Sequence, residues 1–91
     1  MRIEFLNVIN KVLKEHANIE VKLSDIVECK SAYDYAYMQC KTQHEEFTVL
    51  VTQHFRDVFT KEIYYEVNIH ILDFDVADFH IAYDKDLNEI V

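Results

Sequence analysis

The stretch EIYYEVNIHI at residues 62–71, together with DFHIAYD at residues 78–84, decides the fold. In both, an apolar residue stands at every second position: Ile63, Tyr65, Val67, Ile69 and Ile71 in the first, and Phe79, Ile81 and Tyr83 in the second. Successive side chains of a strand point to opposite faces of a sheet, so this alternation predicts two half-buried strands. We expect the aspartate-rich run at residues 73–78 to be the hairpin loop that joins them.

The register of this hairpin follows from the same pattern. If the two apolar rows share a face, residues whose numbers have the same parity must pair, and His70 and His80 become direct or diagonal neighbours on the polar face. Two imidazoles flanked by carboxylates could bind a divalent metal ion or form a pH-sensitive patch. Because metal sites usually need three or four preorganised ligands, we favour exposed strand histidines and expect neither a metal nor another cofactor.

Residues 2–15 change to the helical period and predict an amphipathic helix. We expect its apolar stripe to pack on the sheet face that carries Val67, Ile69, Phe79 and Ile81. The stripe is expected to consist of Ile3, Leu6, Ile9, Val12 and Leu13.

The chain between this helix and residue 62 is harder to interpret. Alternation predicts a strand at residues 19–24, extended or irregular chain at residues 26–29, and a strand through the tyrosines at 33, 35 and 37. Residues 26, 29, 33, 37 and 40 also fit the helical period, and we favour the strand. Residues 46–59 fit either period, and their β-branched residues favour a strand that ends near Gln53 and is followed by a helical turn through Arg56. Taken together, the predicted helix and strands indicate an α+β fold with an N-terminal amphipathic helix packed on an antiparallel sheet of four to five strands. We expect a single domain over residues 1–91.

The chain contains no glycine and no proline. Turns must therefore use residues such as Asn18, whose side chain tolerates the left-handed conformation. A glycine-rich phosphate loop and a serine-hydrolase elbow are excluded for the same reason. Cys29 and Cys40 are expected to be free thiols, since we expect a cytoplasmic protein without a membrane-spanning segment.

Charge is distributed unevenly along the chain. Residues 62–91 contain eight acids and one lysine, whereas the first sixty-one residues contain nine acids and eight bases, so the last third carries a net −7 of the total −8. The acids of this third alternate with strand residues and should be held on a rigid support. We predict that they form the contact face for a positively charged partner: Glu62, Glu66, Asp73, Asp75, Asp78, Asp84, Asp86 and Glu89.

Three function classes follow. The first is a small non-enzymatic inhibitor of a basic, nucleic-acid-handling protein such as a nuclease or a CRISPR effector, with carboxylates standing where phosphates would lie. In size, acidity and freedom from catalytic motifs the chain is similar to phage-encoded antidefence proteins and bacterial immunity proteins. The second is a structural or regulatory interaction module that forms a homodimer through the tyrosine strand. The third is a small enzyme or metal-binding domain that uses His70 and His80. Direct binding to DNA or RNA is not expected at this net charge.

Overall fold

The computed structural model describes residues 2–43, 45–71 and 78–90. Within them, helix α1 (Ile3–Val12) continues as a π-helical turn (Leu13–Ala17), and a short 3₁₀ turn (Leu23–Asp25) precedes the sheet. The strands are β1 (Ile26–Ser31), β2 (Tyr35–Lys41), β3 (Glu46–Asp57), β4 (Glu62–Ile71) and β5 (Asp78–Asp84). They pair antiparallel in the order β1-β2-β3-β4-β5. The predicted α+β architecture is confirmed, with five strands in the sheet.

The core lies between α1 and one face of the sheet. Its aromatic centre is the pair Phe5 and Tyr65, whose rings meet edge to face with centroids 6.0 Å apart. The helix side of the core consists of Phe5, Val8, Ile9, Val12 and Leu13. The sheet side consists of Ala36, Met38, Cys40, Phe47, Val49, Val51, Tyr65, Val67, Ile69, Ile71, Ile81 and Tyr83. No described helix or strand covers the opposite face of the sheet, which we call the open face.

The helix is rotated relative to the predicted stripe. Ile9, Val12 and Leu13 are buried as predicted, but Ile3 is 63% exposed and Leu6 is 36% exposed, so their predicted packing is wrong. Phe5 and Val8 take their places. Residues 5, 8, 9, 12 and 13 also follow the helical period, and the larger Phe5 ring buries more apolar surface than either displaced side chain.

The sheet residues predicted to pack against the helix are buried wherever the structure describes their side chains. Val67, Ile69 and Ile81 are buried against the helix. Phe79 lies opposite Ile69 in register, but the packing predicted for its side chain lies outside the described part of the chain.

The strand predicted at residues 19–24 is wrong. The helix ends at Asn18, which adopts the predicted left-handed conformation with φ 52°, and the Ile19 N–H donates to the Leu13 carbonyl at 3.0 Å. Residues 18–22 are irregular, and Leu23 begins the 3₁₀ turn. Alternation arises here because Ile19 and Val21 pack against the edge of the core, which needs no strand partner.

The middle of the sheet is longer than predicted. The extended chain at residues 26–29 belongs to β1, and Tyr35 begins β2 while Tyr33 lies in the preceding turn. Strand pairing at residues 46–53 is confirmed, but the helical turn through Arg56 is wrong because β3 continues to Asp57. The long strand β4 supplies hydrogen-bonding partners for this extension, with Phe55 opposite Ile63.

The register of β4 and β5 is confirmed. His70 lies opposite Asp78 and His80 opposite Asn68, so the two histidines are diagonal neighbours on the open face. Most of the predicted hairpin loop at 73–78 lies outside the described residues. After β5 the chain turns back, and the Ile90 N–H donates to the Ala82 carbonyl at 2.8 Å.

No helix among the described residues is long and apolar enough to cross a bilayer. Cys29 is exposed and Cys40 is buried, and both are free thiols, as predicted.

Candidate functional site

The open face is built from alternate residues of neighbouring strands. One cross-strand row contains Tyr35, Thr52, Glu66 and Ala82, and the next contains Tyr37, Leu50, Asn68 and His80. Tyr37 is half-buried, and Leu50 and Tyr35 are just over one-third exposed. A rigid sheet therefore presents apolar and aromatic surface together with polar groups, which is the usual composition of the centre of a protein interface.

Glu66 is the electrostatic centre of this face. Its Oε2 lies 3.3 Å from Nε2 of His54 on β3 and 4.0 Å from Nε2 of His80 on β5. The His54 nitrogen is buried and makes no aligned hydrogen bond, so its contact with Glu66 is mainly electrostatic. The His54 ring stacks on Tyr64 with centroids 5.2 Å apart. When either imidazole is protonated, Glu66 becomes its ion-pair partner.

The structure brings together only part of the predicted acidic set. Glu62 and Glu66 share the open face of β4, and Asp84 lies opposite Tyr64 at the end of β5. Asp78 lies opposite His70 in register, and its side chain is outside the described part of the chain. Asp73 and Asp75 also lie outside the described residues.

Asp84 has a structural role as well as a charge. Its Oδ1 accepts hydrogen bonds of 2.9 Å from the backbone N–H of Asp86 and of 2.9 Å from that of Asn88. The Asn88 N–H lowers the pKa of the Asp84 carboxyl most strongly, burial opposes this effect, and the Asp86 N–H lowers the pKa further. Asp84 thus fixes the turn that follows β5, and Asp86 stands exposed within that turn.

Glu89 faces the helix side of the molecule and lies apart from the open-face acids. It forms an isolated bridge with Tyr83 and places its Oε2 3.5 Å from Nε2 of His16 in the π-helical turn. Tyr83 is fully buried beneath this contact. Burial first, then the carboxylates of Glu15 and Glu89, raises the pKa of Tyr83 to about 12.

The open face is electrically divided. Glu62, Glu66 and Asp84 lie on β4 and β5. At the other side of the sheet, each lysine lies beside an acid: Lys30 on β1 beside Glu28, and Lys41 on β2 opposite Glu46 on β3. The Lys30 ammonium is 3.0 Å from Glu28, and its hydrogen bond and charge attraction to that carboxylate raise the pKa of Lys30. The negative field is therefore strongest over the β4–β5 half.

The arrangement of the two predicted histidines favours no metal site. Among the described residues, no three histidine, cysteine, aspartate or glutamate side chains lie where they could hold a metal ion. His80 contacts Glu66 instead, and His70 lies on the far side of Asn68 along β4.

Sequence reasoning placed Tyr64 on the face of Glu66 but missed His54 as a member of it. His54 was missed because the third strand was expected to end near Gln53, which left its side chain without a place on the sheet. Its alternation with Leu50 and Thr52 was the available signal.

Comparison of the chain with protein-family models, with curated proteins and with solved structures finds no match.

Proposed function

We propose that this protein is a small, non-enzymatic inhibitor that binds a positively charged, nucleic-acid-handling protein through the β4–β5 half of its open face. The observation that carries the proposal is the placement of Glu62, Glu66 and Asp84 on the uncovered face of one sheet. Carboxylates held on strands lose little conformational freedom when they meet a cationic surface. Steering by such a field raises association rates and selects basic partners.

Aromatic surface beside the acids supports the same proposal. Tyr64 is half-buried against His54, and Tyr35 and Leu50 continue the apolar surface across the sheet. Interfaces draw much of their binding energy from aromatic side chains near their centre, while surrounding charges set specificity and encounter rate. We place the activity in the cytoplasm and expect no direct contact with nucleic acid, since the chain carries a net charge of −8.

A pull-down with matched charge reversals tests the proposal. The bait is the protein or its Glu62→Lys variant, and the control bait is Glu20→Lys, which makes the same change in charge at an exposed residue away from the sheet. We expect a basic nucleic-acid-handling protein to be retained at low salt by the parent and the control, and to be lost from Glu62→Lys. Equal retention by all three baits would exclude the open face as the binding surface.

The division of charge on the open face supports a second candidate, a homodimeric interaction module. A two-fold axis parallel to the strands and passing by Leu50 on β3 would place Lys30 and Lys41 of one copy, with their neighbouring glutamates, over the β4–β5 acids of the other. Sedimentation equilibrium of the parent and of Leu50→Glu tests this candidate. A dimer that the substitution dissociates would favour it, and a monomeric parent would exclude it.

A further inference from the structure

The sheet extends beyond the helix at one end. On the core face, Phe5 of α1 covers Tyr65, which pairs with Gln53, and the next cross-strand pair is Phe55 with Ile63. Phe55 is exposed because the helix begins at Ile3 and does not reach over this pair. The apolar face of the sheet therefore extends beyond the helix that packs on it.

A cleft of about 550 Å³ occupies this place. Its apolar lining consists of Phe55, Val58 and Ile63 of the β3–β4 hairpin together with Tyr33 from the turn between β1 and β2. Val58 is 78% exposed and the adjacent Phe59 is 98% exposed. Large apolar side chains clustered on a small domain usually mark a binding surface.

The geometry of this cleft is fixed by local hydrogen bonds. Nη1 of Arg2 donates to the Tyr33 carbonyl at 2.7 Å and to Oε1 of Gln53 at 3.0 Å. The guanidinium also lies 4.8 Å from the centre of the Tyr33 ring. In the hairpin, Oδ1 of Asp57 accepts the Phe59 N–H at 2.9 Å. A surface held in this way loses little entropy on binding.

The charge of the cleft is opposite to that of the whole protein. Within the described part of the chain, its charged lining residues are Arg2 and Lys61, and no lining residue is acidic. The chain as a whole has seventeen acids and nine bases. Arg2 has Glu4 as a neighbour at 3.5 Å, and no ion pair of Lys61 occurs among the described residues. An apolar cleft with cations on its rim complements an apolar group that stands beside a carboxylate.

We propose that this cleft binds a segment of a partner protein in which apolar side chains alternate with acidic ones. A second copy packed cleft to cleft across a two-fold axis is a poorer occupant, because this contact would bring Arg2 and Lys61 near their own counterparts. A small molecule would leave Phe59 and much of the surrounding apolar surface uncovered. The site is separate from the open face and has the opposite charge preference.

The test is a titration of the isotope-labelled protein, followed by backbone amide shifts. The probes are the peptides acetyl-Glu-Leu-Asp-Phe-Glu-Leu-amide and the matched neutral acetyl-Gln-Leu-Asn-Phe-Gln-Leu-amide. We expect the acidic peptide to shift the amides of Tyr33, Phe55, Val58 and Ile63, and to bind several-fold more tightly than the neutral one at low salt.

Matched substitutions assign the binding to the cleft. Val58→Ser should weaken binding of the acidic peptide by about tenfold or more, because it removes an apolar side chain that the bound peptide would cover. Leu23→Ser, which also removes an exposed apolar side chain but lies in the 3₁₀ turn, should leave the affinity unchanged. Lys61→Gln should reduce the preference for the acidic peptide, and Lys41→Gln should not.

Three results would overturn the proposal. The first is the absence of shifts at the cleft with the acidic peptide, and the second is equal affinity for the two peptides. The third is movement of the same amides with protein concentration alone, which would assign the cleft to a second copy of the chain.

Discussion

Glu66 on β4 and His54 on β3 are diagonal neighbours, with 3.3 Å between Oε2 and Nε2. The pair ties two central strands together on the face that has no helix over it. Both side chains are about one-third exposed, so solvent screens the interaction.

A double-mutant cycle measures this pair. Glu66→Gln and His54→Ala, alone and combined, should give a coupling free energy of about 0.2–1 kcal/mol at low salt. The coupling should be smaller at high salt, which screens charges on partly exposed side chains. Urea unfolding gives the four free energies. Equal coupling at the two salt concentrations would show that the contact is not electrostatic.

Core truncations test the rotation of the helix. Phe5→Ala should lower the free energy of unfolding by about 3–5 kcal/mol, because the ring is fully buried against Tyr65. Ile3→Ala should change it by less than about 0.5 kcal/mol, because its side chain is mostly exposed. Chemical denaturation checks both, and a reversed order would support the stripe expected from the sequence.

Asp84 should stabilise the fold in a pH-dependent way. Its pKa is lowered in the folded state, so its contribution is present above the ordinary carboxyl value of 3.8 and is lost as the pH falls through the folded value. Asp84→Ala should lower the Tm at neutral pH and reduce the fall of the Tm as the pH is lowered. Asp86→Ala removes an acid from the same turn without removing these hydrogen bonds and should do neither. Identical curves for the two variants would contradict the assigned role.

Buried thiol and phenol groups should limit stability in alkali. Burial raises the pKa of Cys40 to about 11 from an ordinary 9.0, with smaller contributions from Asp25 and Cys29. The unfolded chain then releases this proton first, so stability is complete below pH 9.0 and is lost as the pH rises toward 11. Cys40→Ala should flatten this decline in urea midpoints between about pH 9 and pH 11, and Cys29→Ala should not. The pKa of Tyr83 is raised to about 12, so this group should extend the loss of stability to higher pH.

Sequence patterns were most informative where an element alternates regularly and buries one face. β4 and β5 alternate, so their faces and the pairing of residues of equal parity followed from the pattern, whereas the structure fixes the exact register. The helix was placed but not its rotation, since Ile3 and Phe5 are both apolar and only the shape of the sheet selects between them. The side chains of Lys61 and Leu87, whose φ angles are 57° and 63°, do not indicate a left-handed conformation. These conformations are imposed by tertiary contacts, namely the pairing of β3 with β4 and the hydrogen bonding of the C-terminal segment to β5.

The same limit applies to the candidate site. The charge imbalance identified the acids, but only the fold separates Glu62 and Glu66, on the open face, from Glu89, which contacts His16. The hairpin cleft could not be predicted, because it arises from the difference in length between a helix and two strands.

The most direct test of the open face as an acidic binding surface is the association rate of the partner captured by the parent protein. The rate should be measured for the parent, Glu62→Lys and the control Glu20→Lys at two salt concentrations. We predict that Glu62→Lys associates more slowly at low salt, that the difference shrinks at high salt, and that Glu20→Lys associates nearly as fast as the parent. Equal rates for Glu62→Lys and the parent at both salt concentrations would contradict the account.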